Sequence, residues 1–151
     1  MIENRSMPSS TVIPILVYED VAEAVEWLSD AFGFEERIRI GTHRVHMSTG
    51  GDGAVVVTER RIPPVAGGDP VVLRPPRRGE VSHTVMVRVD DVDAHFAKAR
   101  ESGARILQQP TDHPYGERQY AAEDLAGHRW SFSQSIHDVA PEEWGGLTVE
   151  R

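Results

Sequence analysis

From Ile13 to Val17 the chain is apolar, turns acidic at Glu19-Asp20, and then runs Val21-Ala22-Glu23-Ala24-Val25-Glu26-Trp27-Leu28. Val21, Ala24, Val25, Leu28 and Phe32 share one helical face, so a strand followed by an amphipathic helix is predicted. Asp20 suits the N-cap, because a short carboxylate accepts the orphan N–H groups and favours the positive end of the dipole. Gly33 sits where a left-handed C-terminal residue is wanted. Alternation then predicts strands over Glu35–Ile40, Arg44–Ser48 and Ala54–Glu59, with Gly50-Gly51-Asp52-Gly53 turning the last pair.

The same order returns about seventy residues later. Arg88-Val89-Asp90-Asp91 leads into a helix whose face carries Val92, His95, Phe96 and Ala99, with Asp91 as N-cap and Gly103 beyond the end. Strands follow over Arg105–Gln109, Arg118–Glu123 and Arg129–Gln134. Asp124-Leu125-Ala126-Gly127 makes the matching hairpin turn, with Asp bonding its own backbone and Gly supplying positive φ. The chain therefore reads as an internal duplication, βαβββ twice, of the α+β class. Module one covers 11–61 and module two 81–136. Residues 62–80 hold too many Pro and Gly for regular structure and form a linker, and 137–151 form an acidic tail with Trp144.

Composition narrows the function classes. The chain has 151 residues, 39% hydrophobic and 26% charged, which is ordinary for one globular domain. A formal charge of −8 argues against nucleic acid and anionic membrane as partners; it reads first as solubility, with attraction of a cationic ligand as the alternative. Arg74-Pro75-Pro76-Arg77-Arg78 is the local exception and reads as a solvated loop. No stretch is long and apolar enough to span a bilayer, and the first ten residues carry no apolar signal core. With no cysteine there is neither disulfide nor thiolate chemistry, and a cytoplasmic location is expected. No nucleophile elbow or phosphate-binding glycine pattern occurs either.

The doubled strand-to-helix junctions, Gly103-Ala104-Arg105-Ile106, and the run Tyr115-Gly116-x-Arg118-x-Tyr120-x-x-x-Asp124-x-x-Gly127-His128-x-Trp130-x-Phe132 carry a resemblance. The chain resembles the vicinal oxygen chelate superfamily, which groups glyoxalase, bleomycin-resistance proteins and extradiol dioxygenases. The resemblance spans roughly Val12 to Gln134. It implies two modules forming a U-shaped mixed sheet around a cleft, completed in a homodimer. Metalloenzymes of this family place ligands on the first and last strand of each module. Carried over one by one, those positions hold Ile13, Val57, Thr84 and Ser131, with His83 and Glu59 displaced from them. None is a strong ligand, and a divalent centre needs at least three convergent donors. An irregular site built from His46, His83, Glu59 and His128 is the alternative.

What remains is a cleft. By parity Ile13, Ile15 and Val17 form an apolar wall, while Thr84, Met86 and Arg88 face it from the fifth strand. Arg118 and Tyr120 are expected to join from the seventh strand, and His46 with Arg44 from the third. Met adapts to varied ligands, and Arg offers fixed charge with a planar face. Trp130 and Phe132 are expected in the core. The expectation is thus a metal-free small-molecule binding and sequestering protein with no cofactor and no catalytic residue. Its ligand contacts are Arg118, Tyr120, Arg88, Met86, His46 and Thr84. A metal-dependent lyase or dioxygenase with displaced ligands is the alternative, and a structural dimer without ligand is a third class.

Overall fold

The computed structural model describes residues 1–60, 68 and 72–150. Within the linker, 62–80, residues 62–67 and 69–71 therefore lie outside the described residues. The first module contains β1 (Ile15–Tyr18), α1 (Val21–Phe32), β2 (Glu35–Ile40), β3 (Arg44–Gly50) and β4 (Gly53–Glu59). The second contains β5 (Val85–Arg88), α2 (Val92–Glu101), β6 (Arg105–Asp112), β7 (Glu117–Glu123) and β8 (Arg129–Ser135). A short 3₁₀ turn, Pro141–Trp144, follows in the tail.

Each module makes a four-stranded mixed sheet of one order, β1-β4-β3-β2 and β5-β8-β7-β6. The first strand pairs the last in parallel and the others pair antiparallel. The tandem α+β plan is thus present in full. Asp20 and Asp91 cap their helices, each accepting at 3.0 Å from the backbone N–H three residues on. Gly33 and Gly103 take the left-handed conformation at φ 73° and 92°, which a side chain resists.

One hydrophobic core joins the modules. Each helix covers one face of its own sheet, and the two helices also pack on each other. Leu16, Tyr18, Val55 and Val57 of the first sheet meet Phe32 and Phe34, which pack on Trp130 and Phe132 of the second. The other face of each sheet carries no helix, and these two uncovered faces hold the candidate site. Among the described residues no helix is long and apolar enough to cross a membrane.

Candidate functional site

Alternation along each strand decides what an uncovered face contains. In module one it presents Ile15 and Val17 from β1, Val56 and Thr58 from β4, and Arg44, His46 and Ser48 from β3. Cross-strand partners share a face, and His46 sits opposite Val56 on one side and Ile38 on the other. The ring is buried, at 4% exposure, between apolar neighbours. Burial, and then the Arg44 charge, push its pKa below the ordinary value of 6.5, so the imidazole is neutral at neutral pH. Its Nδ1 is buried without a hydrogen-bond partner. Above this floor a cavity of about 360 Å³ lies between Ile38, His46 and Ala54 on one side and Met7–Ser10 of the N-terminal segment on the other. The Ser10 hydroxyl donates to the Asp52 carbonyl and ties that segment down.

The floor of module two is more polar. Met86 lies opposite Ser131 and Arg88 opposite Ser133, with Ala121 and Gln119 on the next strand. The Ser133 hydroxyl donates to Glu117 at 2.8 Å and receives the Gln119 amide at 3.0 Å. The Tyr115 hydroxyl donates to Gln119 Oε1 at 3.0 Å. Arg88 donates to Ser135 and approaches Glu117 at 3.4 Å. Partial burial opposes ionisation of Glu117, but these hydroxyls and the guanidinium outweigh it and hold the carboxyl below its ordinary range. The network leaves Met86 62% exposed above it.

The predicted cleft residues therefore divide. His46, Met86 and Arg88 stand on the uncovered faces, and Thr84 is exposed two residues before Met86. Arg118 and Tyr120 do not stand there. Tyr120 is fully buried opposite Phe132, with its hydroxyl against His95 Nδ1, and burial drives its pKa up. Arg118 is held on the helix side by Asp112 at 2.6 Å and by Asp93 of α2 at 3.1 Å. Those two carboxylates, Asp112 first, raise its pKa further. The expected cleft placement of both is corrected for one reason: Tyr120, directly across from core Phe132, must itself face the core, and Arg118, two residues before it on β7, shares that side. Gln119, Glu117, Ser133 and Tyr115 take the places expected for them. The pairing of β7 with β8 would have revealed the three strand residues, but nothing local marked Tyr115 or the N-terminal segment.

The family's metal positions meet the same test. Val57 belongs to the core, so the facing positions on β4 are Val56 and Thr58, neither of them a strong ligand. With Ile13, Thr84 and Ser131 this leaves no donor set at the usual places. Among the described residues no three His, Asp or Glu side chains converge. His128 donates from Nε2 to the Val17 carbonyl at 2.7 Å along the open edge of β1. His83 lies beside His128 against the end of the linker, away from His46. The residues present do not fit the metal that catalytic members of the family would hold.

Comparison with known proteins agrees with this architecture. TioX from Micromonospora has a TM-score of 0.65 at 36% identity, over 85% of this chain and all of that one. TnmS3, an antibiotic binding protein from Streptomyces, has a TM-score of 0.62 at 24% identity, over 85% and 98%. A lactoylglutathione lyase from Agrobacterium tumefaciens shares the fold alone, with a TM-score of 0.59 at 18% identity over 85% and 96%. An uncharacterized protein of Mycobacterium bovis is 29% identical over 133 residues, 86% of each chain. The model of the glyoxalase/bleomycin resistance protein/dioxygenase superfamily matches residues 11–132, and the chain belongs to that superfamily.

Proposed function

We propose that this protein binds and sequesters a small, partly aromatic molecule without a resident metal, in a cleft floored by the uncovered sheet faces. The observation that carries the reading is the composition of those faces. Apolar Ile38 and Val56 flank one unpaired imidazole, Ile15 and Val17 extend the apolar face on β1, and an exposed Met sits over a hydrogen-bonded polar network. Small-molecule pockets combine an apolar wall with a few placed polar anchors in this way. The fold shared with TnmS3 supports the reading by analogy. In this reading His46, Met86, Arg88 and Thr84 touch the ligand, a second chain completes each cleft, and the protein works in the cytoplasm.

A thermal-shift screen of aromatic natural products tests it, because a ligand bound only by the folded state raises stability by RT ln(1 + [L]/Kd). Hits that saturate at one ligand per chain are expected, with metal well below one equivalent in the purified protein. Near-stoichiometric metal that is lost on mutating His46 or His83 would instead establish a lyase or dioxygenase with displaced ligands.

A further inference from the structure

We propose that the run Arg74-Pro75-Pro76-Arg77, with the neighbouring His83 and His128, forms a second site that takes the phosphate group of a small molecule. The site shares no lining residue with the cleft of the uncovered faces and does not depend on that reading. By sequence the run is a solvated loop, but the structure holds it against the β7–β8 hairpin. Arg78 donates to the buried Glu123 carboxylate at 3.1 Å. Pro76 lies so near the hairpin turn that a Cβ on Gly127 would meet its Cγ at 3.7 Å. The Glu80 N–H closes a turn on the Arg77 carbonyl at 2.9 Å. Three contacts and two prolines therefore fix this segment, which loses little further freedom when a ligand arrives.

Between this segment, the approach to β5 and the hairpin lies a cavity of about 300 Å³, lined by Arg74, Arg77, Glu80, Ser82, His83 and His128. Its charge runs against that of the chain, which carries 24 acidic and 16 basic residues. Glu123 is already shared by Arg78 and Arg105. Among the described residues no carboxylate lies within ion-pair distance of Arg74 or Arg77. Glu80 is the one carboxylate of the lining, and two guanidinium groups stand against it. His83 Nδ1 lies 3.4 Å from the Ser82 hydroxyl, which leaves Nε2 to carry the ring proton. His128 commits its own Nε2 to the Val17 carbonyl and stands in the wall. Two planar forks of N–H donors and an imidazole N–H therefore border one space. A carboxylate has two oxygens, which one such fork fills, whereas a phosphate monoester offers three and can meet all three groups. A volume of about 300 Å³ is at the lower end for ligand pockets, enough for the phosphate and a short attached body.

The test titrates the full-length protein with inorganic phosphate, phenyl phosphate and benzoate at a constant ionic strength of about 0.15 M. Binding is read from backbone amide shifts in two-dimensional NMR spectra. One saturable phosphate site per chain is expected, with the shifts gathered on residues 74–83 and 127–129. Tighter binding of phenyl phosphate would mark an ester as the natural ligand, and equal binding the free ion; either result supports the site. Benzoate should bind at least about tenfold more weakly than phenyl phosphate. Arg74→Gln with Arg77→Gln should weaken phosphate at least about tenfold, because both remove charge-assisted hydrogen bonds. Arg37→Gln with Arg39→Gln takes the same charge from β2 and should change it less than about twofold. Glu80→Gln should tighten it. All five side chains are exposed, and a melting curve for each variant verifies folding. Benzoate binding as tightly as phenyl phosphate, equal weakening by the β2 pair, shifts scattered over other surfaces, or no saturation by either phosphate would each overturn the site. None of these results touches the sequestering function, which the thermal-shift screen decides separately.

Discussion

The Tyr18 hydroxyl donates to Asp124 Oδ2 at 2.6 Å across 106 residues of chain, and so fastens the first strand of module one to the hairpin of module two. Asp124 also accepts from Trp130 Nε1 at 3.0 Å and from the backbone N–H groups of Ala126 and His128 at 2.9 and 3.0 Å. A carboxylate this buried survives because four donors replace its water. Burial first, and then the Asp124 charge, raise the Tyr18 pKa, so the phenol stays a donor. Tyr18→Phe should cost about 1–3 kcal/mol, one buried hydrogen bond with its acceptor left behind. Asp124→Ala should cost more, because Tyr18 and Trp130 both lose their acceptor. Urea unfolding measures both, and unchanged midpoints would remove the contact from the account of stability.

His95 joins the helices. Its Nε2 donates to the Phe32 carbonyl at the end of α1 at 3.0 Å, which leaves Nδ1 to accept from Tyr120. Burial lowers its pKa, the Phe32 hydrogen bond partly offsets this, and the Lys98 charge lowers it again. The unfolded chain therefore takes up the proton first as the solution is acidified. Stability should be complete above the ordinary value of about 6.5 and fall as pH drops below it toward the folded value. The depressed pKa of His46 acts in the same direction. Urea midpoints should decline between about pH 7 and pH 5, less steeply in His95→Asn. A midpoint that holds or rises over that interval would contradict the placement.

Arg118 ties β7 to Asp93 of α2 and to Asp112 of β6. Both carboxylates are more than half exposed, and screened pairs of this kind contribute less than about 1 kcal/mol. Arg118→Ala should lower the melting temperature slightly and leave binding of the thermal-shift hits unchanged. Reduced binding of those hits at unchanged stability would return this residue to the cleft.

Apolar Ile15 and Met86 are 50% and 62% exposed, and β1 and β5 each lack a strand partner on one edge. A homodimer covering these features should sediment as two chains at micromolar concentration. Ile15→Lys together with Met86→Lys should give monomers, and a wild-type monomer would refute the dimer.

The helices, both caps, the repeated order of elements and the Asp124–Gly127 turn were legible because each depends on local signals. Gly127 takes φ 95°, and its N–H meets the Asp124 carbonyl at 3.1 Å, as turn chemistry requires. Facing was legible only where a strand could be checked against its neighbour. Val57 and Tyr120 were each placed one residue out of phase, and the partners Leu16 and Phe132 correct them. Asp124 was read as turn chemistry alone. Its grip on Tyr18 joins residues far apart in the chain, and no local pattern records such a contact.

The Tyr18–Asp124 contact also bears on how the halves recognise each other. With the helix caps superposed, Tyr18 corresponds to Val89, and the two hairpins match Asp124 with Gly50. Two copies of the first half would set a buried phenol against glycine with no acceptor. Two copies of the second would bury a carboxylate against valine. Like paired with like is penalised both ways, and only unlike halves satisfy every group. In any assembly of two chains, where four such halves meet, this asymmetry sorts them into mixed pairs.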